Sequence, residues 1–382
     1  MSMDIDPDEL RSFSDQVRRS ANSTFLAQAY AAGTCGNTTG LNGVLEVFRS
    51  PIGFVSETNA SVLLSVKEGL RQTASDIGNV AWQSERDDAE SAAAINSTFP
   101  DAPDIFPDLV GPVGSPHGYD DHWEARAEEP TESAEELTEE SIDVGGVLGA
   151  VDWVWKEATG EGLLEKIVQP LVGDPGRLAW LSTAYQELGG ATYAIAWNLR
   201  SGTMNVAPHW NGDSGQAFEL YMFRWHMGLG GLGDAQHKIS TALRSAYDYV
   251  IDAINTVFEK IESLVEKITE MLVKKASGPF GWITTVWEVV TGDLWEQLQE
   301  LVDDVQEIVE KITTTRERLE DFKERIDTAM ETMELLLETG RDPGEALERW
   351  VQDAYHETIN FEGSADWTPT ISSTGRAALL PI

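Results

Sequence analysis

His209-Trp210-Asn211-Gly212-Asp213-Ser214-Gly215-Gln216-Ala217-Phe218 is the stretch on which the fold turns. Upstream, Leu178, Leu181, Tyr185, Leu188, Thr192, Ile195 and Leu199 keep a spacing of three or four residues. Downstream, Phe218, Tyr221 and Trp225 do the same. Such spacing puts one apolar stripe on each of two helices. Trp-x-Gly at the bend predicts an antiparallel hairpin, with Trp210 packing near the turn or presented to a partner and Gly212 supplying backbone freedom and close approach.

The flanking sequence extends this helical reading. Ile239, Leu243, Tyr247, Val250, Ile254, Val257, Ile261, Leu264, Ile268 and Met271 continue the alternation, and a second run extends from Leu294 to Leu336. Sustained heptads specify left-handed helix pairing. At 1.5 Å per residue the second run alone spans roughly 60 Å. Gly228, Gly230, Gly231 and Gly233 interrupt the pattern. At about 1 kcal/mol each in a helix interior they predict a kink or break, with very close helix packing as the alternative.

At the N-terminus, Asp6-Pro7-Asp8-Glu9 is a helix start: Asp6 caps, Pro7 suits the first position and Glu9 stands at the capping-box position. That helix is expected to reach about Ala32, and a second from about Phe54 to Ile95 follows a Gly/Asn/Thr-rich bend at 34–43. Asp174-Pro175 and Asp342-Pro343 repeat the start signal. The expected fold class is all-α: antiparallel helical hairpins with a long coiled-coil extension. The expected organisation is a first hairpin over 1–99, a linker over 100–143, a Trp-x-Gly hairpin with long coiled-coil helices over 144–340, and a short helix and flexible tail over 341–382. Five prolines between Pro100 and Pro116 and the acidic run 124–140 make the linker semi-extended and disordered. His117 and His122 flank Asp120 and Asp121 there, but the reading adopted is a solvated linker with no metal.

Charge excludes several partners. Asp plus Glu number 65 against 27 Lys plus Arg in 382 residues, a net charge of −38. Nucleic acid requires cationic neutralisation of its phosphates, and anionic lipid surfaces repel the same charge. The excess favours solubility. A lone cysteine, Cys35, precludes an intramolecular disulfide. The N-terminus lacks the basic region and apolar core of a cleaved signal peptide, so export would need another route.

No catalytic constellation emerges. His209, His226, His237 and His356 are scattered, and neither a nucleophile elbow nor a phosphate-binding loop is present. The expectation is a non-enzyme without cofactor or metal. One loop is unexpectedly apolar: Ser277 to Val290, including Phe280, Trp282, Ile283 and Trp287. It either folds back on the bundle or contacts a partner or membrane. The latter possibility supplies the alternative function, a membrane-active helical effector using the tip 279–290.

Gly173-Asp174-Pro175, the Leu/Tyr stripe and the run His209 to Phe218 resemble the Trp-x-Gly (ESAT-6-like) superfamily over about 175–250. The first hairpin resembles EspC-like ESX secretion-associated proteins, on Ile5 to Leu10 and Ala81 to Glu90. The resemblance implies a substrate or accessory of type VII (ESX) secretion, exported as a paired hairpin whose aromatic–acid element the secretion ATPase reads. Trp210, Gly212 and Phe218 are then the turn and partner-binding residues. The partner is a helical hairpin protein or a second copy. The family's Tyr-x-x-x-Asp/Glu signal is missing; Trp82 and Asp87, one position too far apart, are the nearest candidate.

Overall fold

The computed structural model describes residues 5–98, 118–131, 156, 162, 170, 173–275, 304–324 and 326. Helix α1 (Pro7–Gly33) starts as its sequence dictates, with the Asp6 carboxylate accepting from the backbone N–H groups of Asp8 at 3.1 Å and Glu9 at 3.3 Å. A loop and a 3-10 turn (Gly43–Phe48) lead into α2 (Arg49–Thr98). Just ahead of α3 (Gly176–Val206), the Asp174 carboxylate accepts from the Arg177 N–H at 3.2 Å. A second 3-10 turn (Ala207–His209) and the Trp-x-Gly bend then open α4 (Asp213–Lys275). Helix α5 covers 304–324. The architecture is all-helical, as the periodicity requires.

The two hairpins, expected as separate modules, pack as one four-helix bundle. One core joins Leu10, Phe13 and Val17 of α1 with Leu70 and Ile77 of α2, Ile195, Leu199 and Val206 of α3, and Phe218 and Met222 of α4. A second core joins Ala31 and Leu63 to Leu181, Tyr185, Leu188, Ile239 and Leu243. Each fully buried Leu, Ile or Phe contributes about 1.5–3 kcal/mol, so this shared burial dominates the cohesion. Every member of the α3 stripe, Leu178 to Leu199, is buried. On α4 the stripe is wider than expected because the helix has two neighbours. Phe218 points inward, but Tyr221 and Trp225 turn towards α2: the Tyr221 hydroxyl lies 2.7 Å from Thr73 Oγ1, and Trp225 lies over Gly69.

The glycine cluster does not break α4, which runs through it without interruption. Close packing accounts for Gly233, whereas Gly228 faces open space. A Cβ on Gly233 would meet the Tyr193 ring at 3.0 Å, and one on Gly189 would collide with the His237 ring and approach the Gly233 carbonyl at 3.3 Å. Helices α3 and α4 therefore touch nearly backbone to backbone here, and their packing offsets the helix penalty of glycine.

Beyond the bundle, α4 and α5 form an antiparallel arm. Val250, Ile254, Val257 and Ile261 share a core with Val305, Ile308, Ile312 and Leu319. Lys267 pairs with Asp304 at 2.6 Å, Lys260 with Glu307 at 2.6 Å, and the Tyr249 and Phe322 rings stand 6.3 Å apart. Such surface ion pairs contribute little, so the apolar seam carries the arm. Phe280, Trp282, Ile283 and Trp287, like 341–382 and Asp342-Pro343, lie outside the described residues.

Part of the expected linker is tied down. Residues 118–131 form no helix or strand and most stay exposed, as a solvated linker would, but the segment is held along the bundle with Tyr119 buried. The Tyr119 hydroxyl donates to Glu9 Oε2 at 2.8 Å. Asn198 clamps Trp123 like a neighbouring strand, donating to its carbonyl at 2.8 Å and accepting from its N–H at 3.1 Å. Farther on, Tyr30 donates to the Glu128 carbonyl at 2.7 Å and the Trp180 indole to the Pro130 carbonyl at 3.2 Å. Asp121 pairs with Arg19 at 3.3 Å.

Candidate functional site at the Trp-x-Gly turn

The turn is built by a few local requirements. Trp210 is extended and Gly212 has φ +96, a conformation that L side chains rarely adopt. No atom lies within 4 Å of where a Gly212 Cβ would stand, so its constraint is conformational and not steric. The close approach belongs to Gly215, where a Cβ would collide with the Trp210 carbonyl oxygen and lie 2.9 Å from its carbon. The Gln216 N–H closes the first turn of α4 on the Gly212 carbonyl at 3.2 Å.

Trp210 is buried. Its ring stacks on Phe218 with centroids 4.5 Å apart and planes 23° from parallel, and its indole N–H donates to Ser214 Oγ at 3.1 Å. Phe218 meets Phe13 of α1 edge-on at 5.9 Å, and Phe13 meets Tyr119 at 5.8 Å. One aromatic file thus ties the turn, α4, α1 and the bound linker together. Backbone pairing reinforces it: Ile5 and Trp210 form an antiparallel bridge, and the Asp6 N–H donates to the His209 carbonyl at 3.0 Å. An open cavity of about 480 Å³ lies beside this seam, lined in part by Asp6, Asp8, Glu85, His209 and Asn211.

His209 stands between two carboxylates of the first hairpin. Its Nδ1 is 4.0 Å from Asp6 Oδ2 and its Nε2 4.0 Å from Glu9 Oε1. Glu9 is buried and its carboxylate accepts from Tyr119, while the Asp6 N–H that a capping box would direct to Glu9 donates to the His209 carbonyl. Burial, then the bond to Glu9, pushes the Tyr119 phenol far up, so it remains a proton donor.

The remaining candidates separate. Trp82 is 56% exposed on α2, with the Arg86 guanidinium 5.7 Å from its ring centroid. Asp87 lies on the same helix, but its side chain is outside the described residues. Cys35 is fully buried, and desolvation pushes its thiol far above the ordinary value. Tyr119, Asn198 and Gly215 were given no role by the sequence reading. The signal for Tyr119 and Trp123 was available: two large aromatics within an otherwise proline-rich and acidic segment.

His226 is a buried group with a measurable consequence. Its Nδ1 lies 3.1 Å from the Ala196 carbonyl and its ring packs against Trp197. Desolvation pushes it down from 6.5 to about 4, against the Ala196 bond and together with the Arg200 charge. The unfolded chain therefore binds a proton that the folded state refuses. Its contribution is complete above 6.5 and lost as pH falls toward about 4. Asp234 slopes the other way: burial raises it from 3.8 to about 6, so its contribution is present below 3.8 and lost as pH rises through about 6. Comparing the parent with His226→Leu in denaturant melts cancels the Asp234 slope. The stability difference should shift against the parent by about 2–3 kcal/mol across the His226 window. A constant difference contradicts this assignment.

Comparison with protein-family models, curated proteins and solved structures finds no significant match to the chain.

Proposed function

We propose that this protein is a non-enzymatic substrate or accessory of type VII (ESX) secretion that acts through helix-face contacts with other proteins. The observation that carries the proposal is the Trp-x-Gly turn, closed by aromatic stacking and held against a second hairpin of the same chain. In the superfamily that the sequence resembles, such hairpins are exported as pairs. Here the first hairpin takes the partner's place, so the chain would travel as a self-paired unit. Its remaining contacts would be with the secretion ATPase, through Trp82 and Asp87, and with a further hairpin protein or a second copy through the outer helix faces. An exposed Trp82 is consistent with that role, because a ring on the surface of α2 is accessible without unfolding.

Export is tested by measuring the protein in culture supernatant of its host with and without the secretion ATPase. The proposal expects it only when the ATPase is present. Trp82→Ala should abolish export while changing stability by no more than about 0.5 kcal/mol, as for other exposed substitutions. ATPase-independent appearance in the medium, or undiminished export of the variant, contradicts the respective assignment.

A second reading rests on the antiparallel arm, whose two helices lead into and out of the apolar segment 279–290. An arm of that kind could deliver the segment to a bilayer. No helix among the described residues is long and apolar enough to cross a membrane. Leakage from liposomes, lost when Trp282 and Trp287 are changed to Ser, would favour this reading over the first.

A further inference from the structure

Asp6, Glu9 and His209 place two carboxylates and an imidazole so that one ligand atom of each lies within 4.8 Å of the others. The geometry points to a binding site for a divalent transition-metal ion, best matched by zinc, that staples the N-terminus of α1 to the Trp-x-Gly turn. A nitrogen donor with two carboxylate oxygens is a donor set zinc accepts, whereas calcium and magnesium favour oxygen alone.

Three features make this more than a group of nearby acids. The two strands of the site are fixed by backbone pairing, through the Asp6–His209 bond at 3.0 Å and the Ile5–Trp210 bridge. Each carboxylate has one oxygen held and the other facing the imidazole. Asp6 Oδ1 accepts from the Asp8 and Glu9 N–H groups while Oδ2 faces His209; Glu9 Oε2 accepts from Tyr119 while Oε1 faces His209. Tyr119 thus orients a ligand from outside the coordination sphere, as supporting residues of metal sites do. The cavity of about 480 Å³ opens on Asp6 and His209, giving access and room for a water ligand.

Zinc bonds of about 2.0–2.2 Å in a tetrahedral site separate ligand atoms by about 3.4 Å. The carboxylates now face opposite nitrogens of the ring, Nδ1 and Nε2, so one nitrogen has to serve both; with one ligand atom of each residue within 4.8 Å of the others, side-chain shifts of about an ångström close the spacing. Glu9 is almost fully buried, a setting in which a carboxylate gains strongly from a nearby cation. Arg11 serves the outer acids, Asp8 and Glu85, rather than this pair.

The test is calorimetric titration of the full-length protein with zinc chloride, in high salt and excess magnesium to suppress diffuse binding to its acidic surface. One equivalent should bind, thermal unfolding should move up by several degrees, and His209→Gln should weaken binding at least about tenfold, the loss expected for a removed ligand. Asp8→Asn/Glu85→Gln, which alters the cavity wall and leaves the ligands intact, should keep the equivalent. Cobalt loaded into the parent protein should show visible bands of a nitrogen- and oxygen-ligated site that zinc displaces, a readout independent of how well any variant folds. Equal zinc affinity in His209→Gln and the parent overturns the proposal, as does binding that magnesium removes or a cobalt spectrum identical to that of the aqueous ion.

Discussion

Trp210→Ala is expected to destabilise the protein by about 3 kcal/mol, near the lower end of the range for truncating a buried tryptophan. The ring is 8% exposed, stacks on Phe218 at 4.5 Å and holds Ser214 through its indole N–H. Both contacts disappear together with the burial. The lower end applies because the ring keeps 8% of its surface exposed at a turn, where the surroundings can relax into the vacated space. Urea unfolding would report the loss as a lower midpoint, while helix content by circular dichroism should stay near that of the parent, because α3 and α4 are long and packed elsewhere. Trp210→Phe should keep most of the stacking and lose under about 1.5 kcal/mol. Under the export proposal, secreted protein falls with the alanine variant and recovers with phenylalanine. An unchanged urea midpoint for Trp210→Ala would mean that the turn does not bear on the bundle.

The second large effect belongs to a residue without a side chain. Gly202 lies where α3 faces α1, and a Cβ there would collide with Gln16 Oε1 and lie 2.5 Å from Phe13 Cε2. Gly202→Ala should therefore cost about 3 kcal/mol, the upper part of the range for overpacking, because Phe13 cannot yield without disturbing Phe218 and Tyr119. Gly190→Ala on the same helix is the internal control. Its Cβ would meet no atom within 4 Å, so alanine's better helix propensity should stabilise by about 0.5–1 kcal/mol. Opposite signs at two glycines twelve residues apart on one helix would locate the hairpin contact. Equal effects would contradict it.

Local chemistry made parts of this fold legible. Asp6-Pro7 announces its own cap, and the α3 stripe from Leu178 to Leu199 announces its buried face, because both depend on neighbours a turn away. What covers that stripe was not legible. Periodicity says that a face is buried and is silent on whether another chain or the same one buries it. The hairpins' union rests on long-range pairs such as Gln236 with Asn59 at 2.9 Å, whose partners have no fixed sequence spacing. The bound linker was hidden for a related reason: it is held largely through its own carbonyls and N–H groups, at Trp123, Glu128 and Pro130, which every residue type carries. The glycine cluster was ambiguous because glycine serves breaks and close approaches alike, and at Gly233 only the facing Tyr193 of α3 decides between them.

Part of the site shared this fate. Trp210, Gly212 and Phe218 were marked by their spacing. Glu9 reads locally as a capping residue and becomes part of the site only because Tyr119 and His209 arrive from distant segments.

The central claim is that the chain's own first hairpin closes the Trp-x-Gly end of the second. The contact between Phe13 of α1 and Phe218 of α4, edge-on at 5.9 Å, is its most direct reporter. A double-mutant cycle with Phe13→Leu and Phe218→Leu, read by urea unfolding of the full chain, should give a coupling of about 0.5–1.5 kcal/mol that does not change with protein concentration. A coupling indistinguishable from zero, or one that grows with concentration as pairing between separate chains requires, would contradict it.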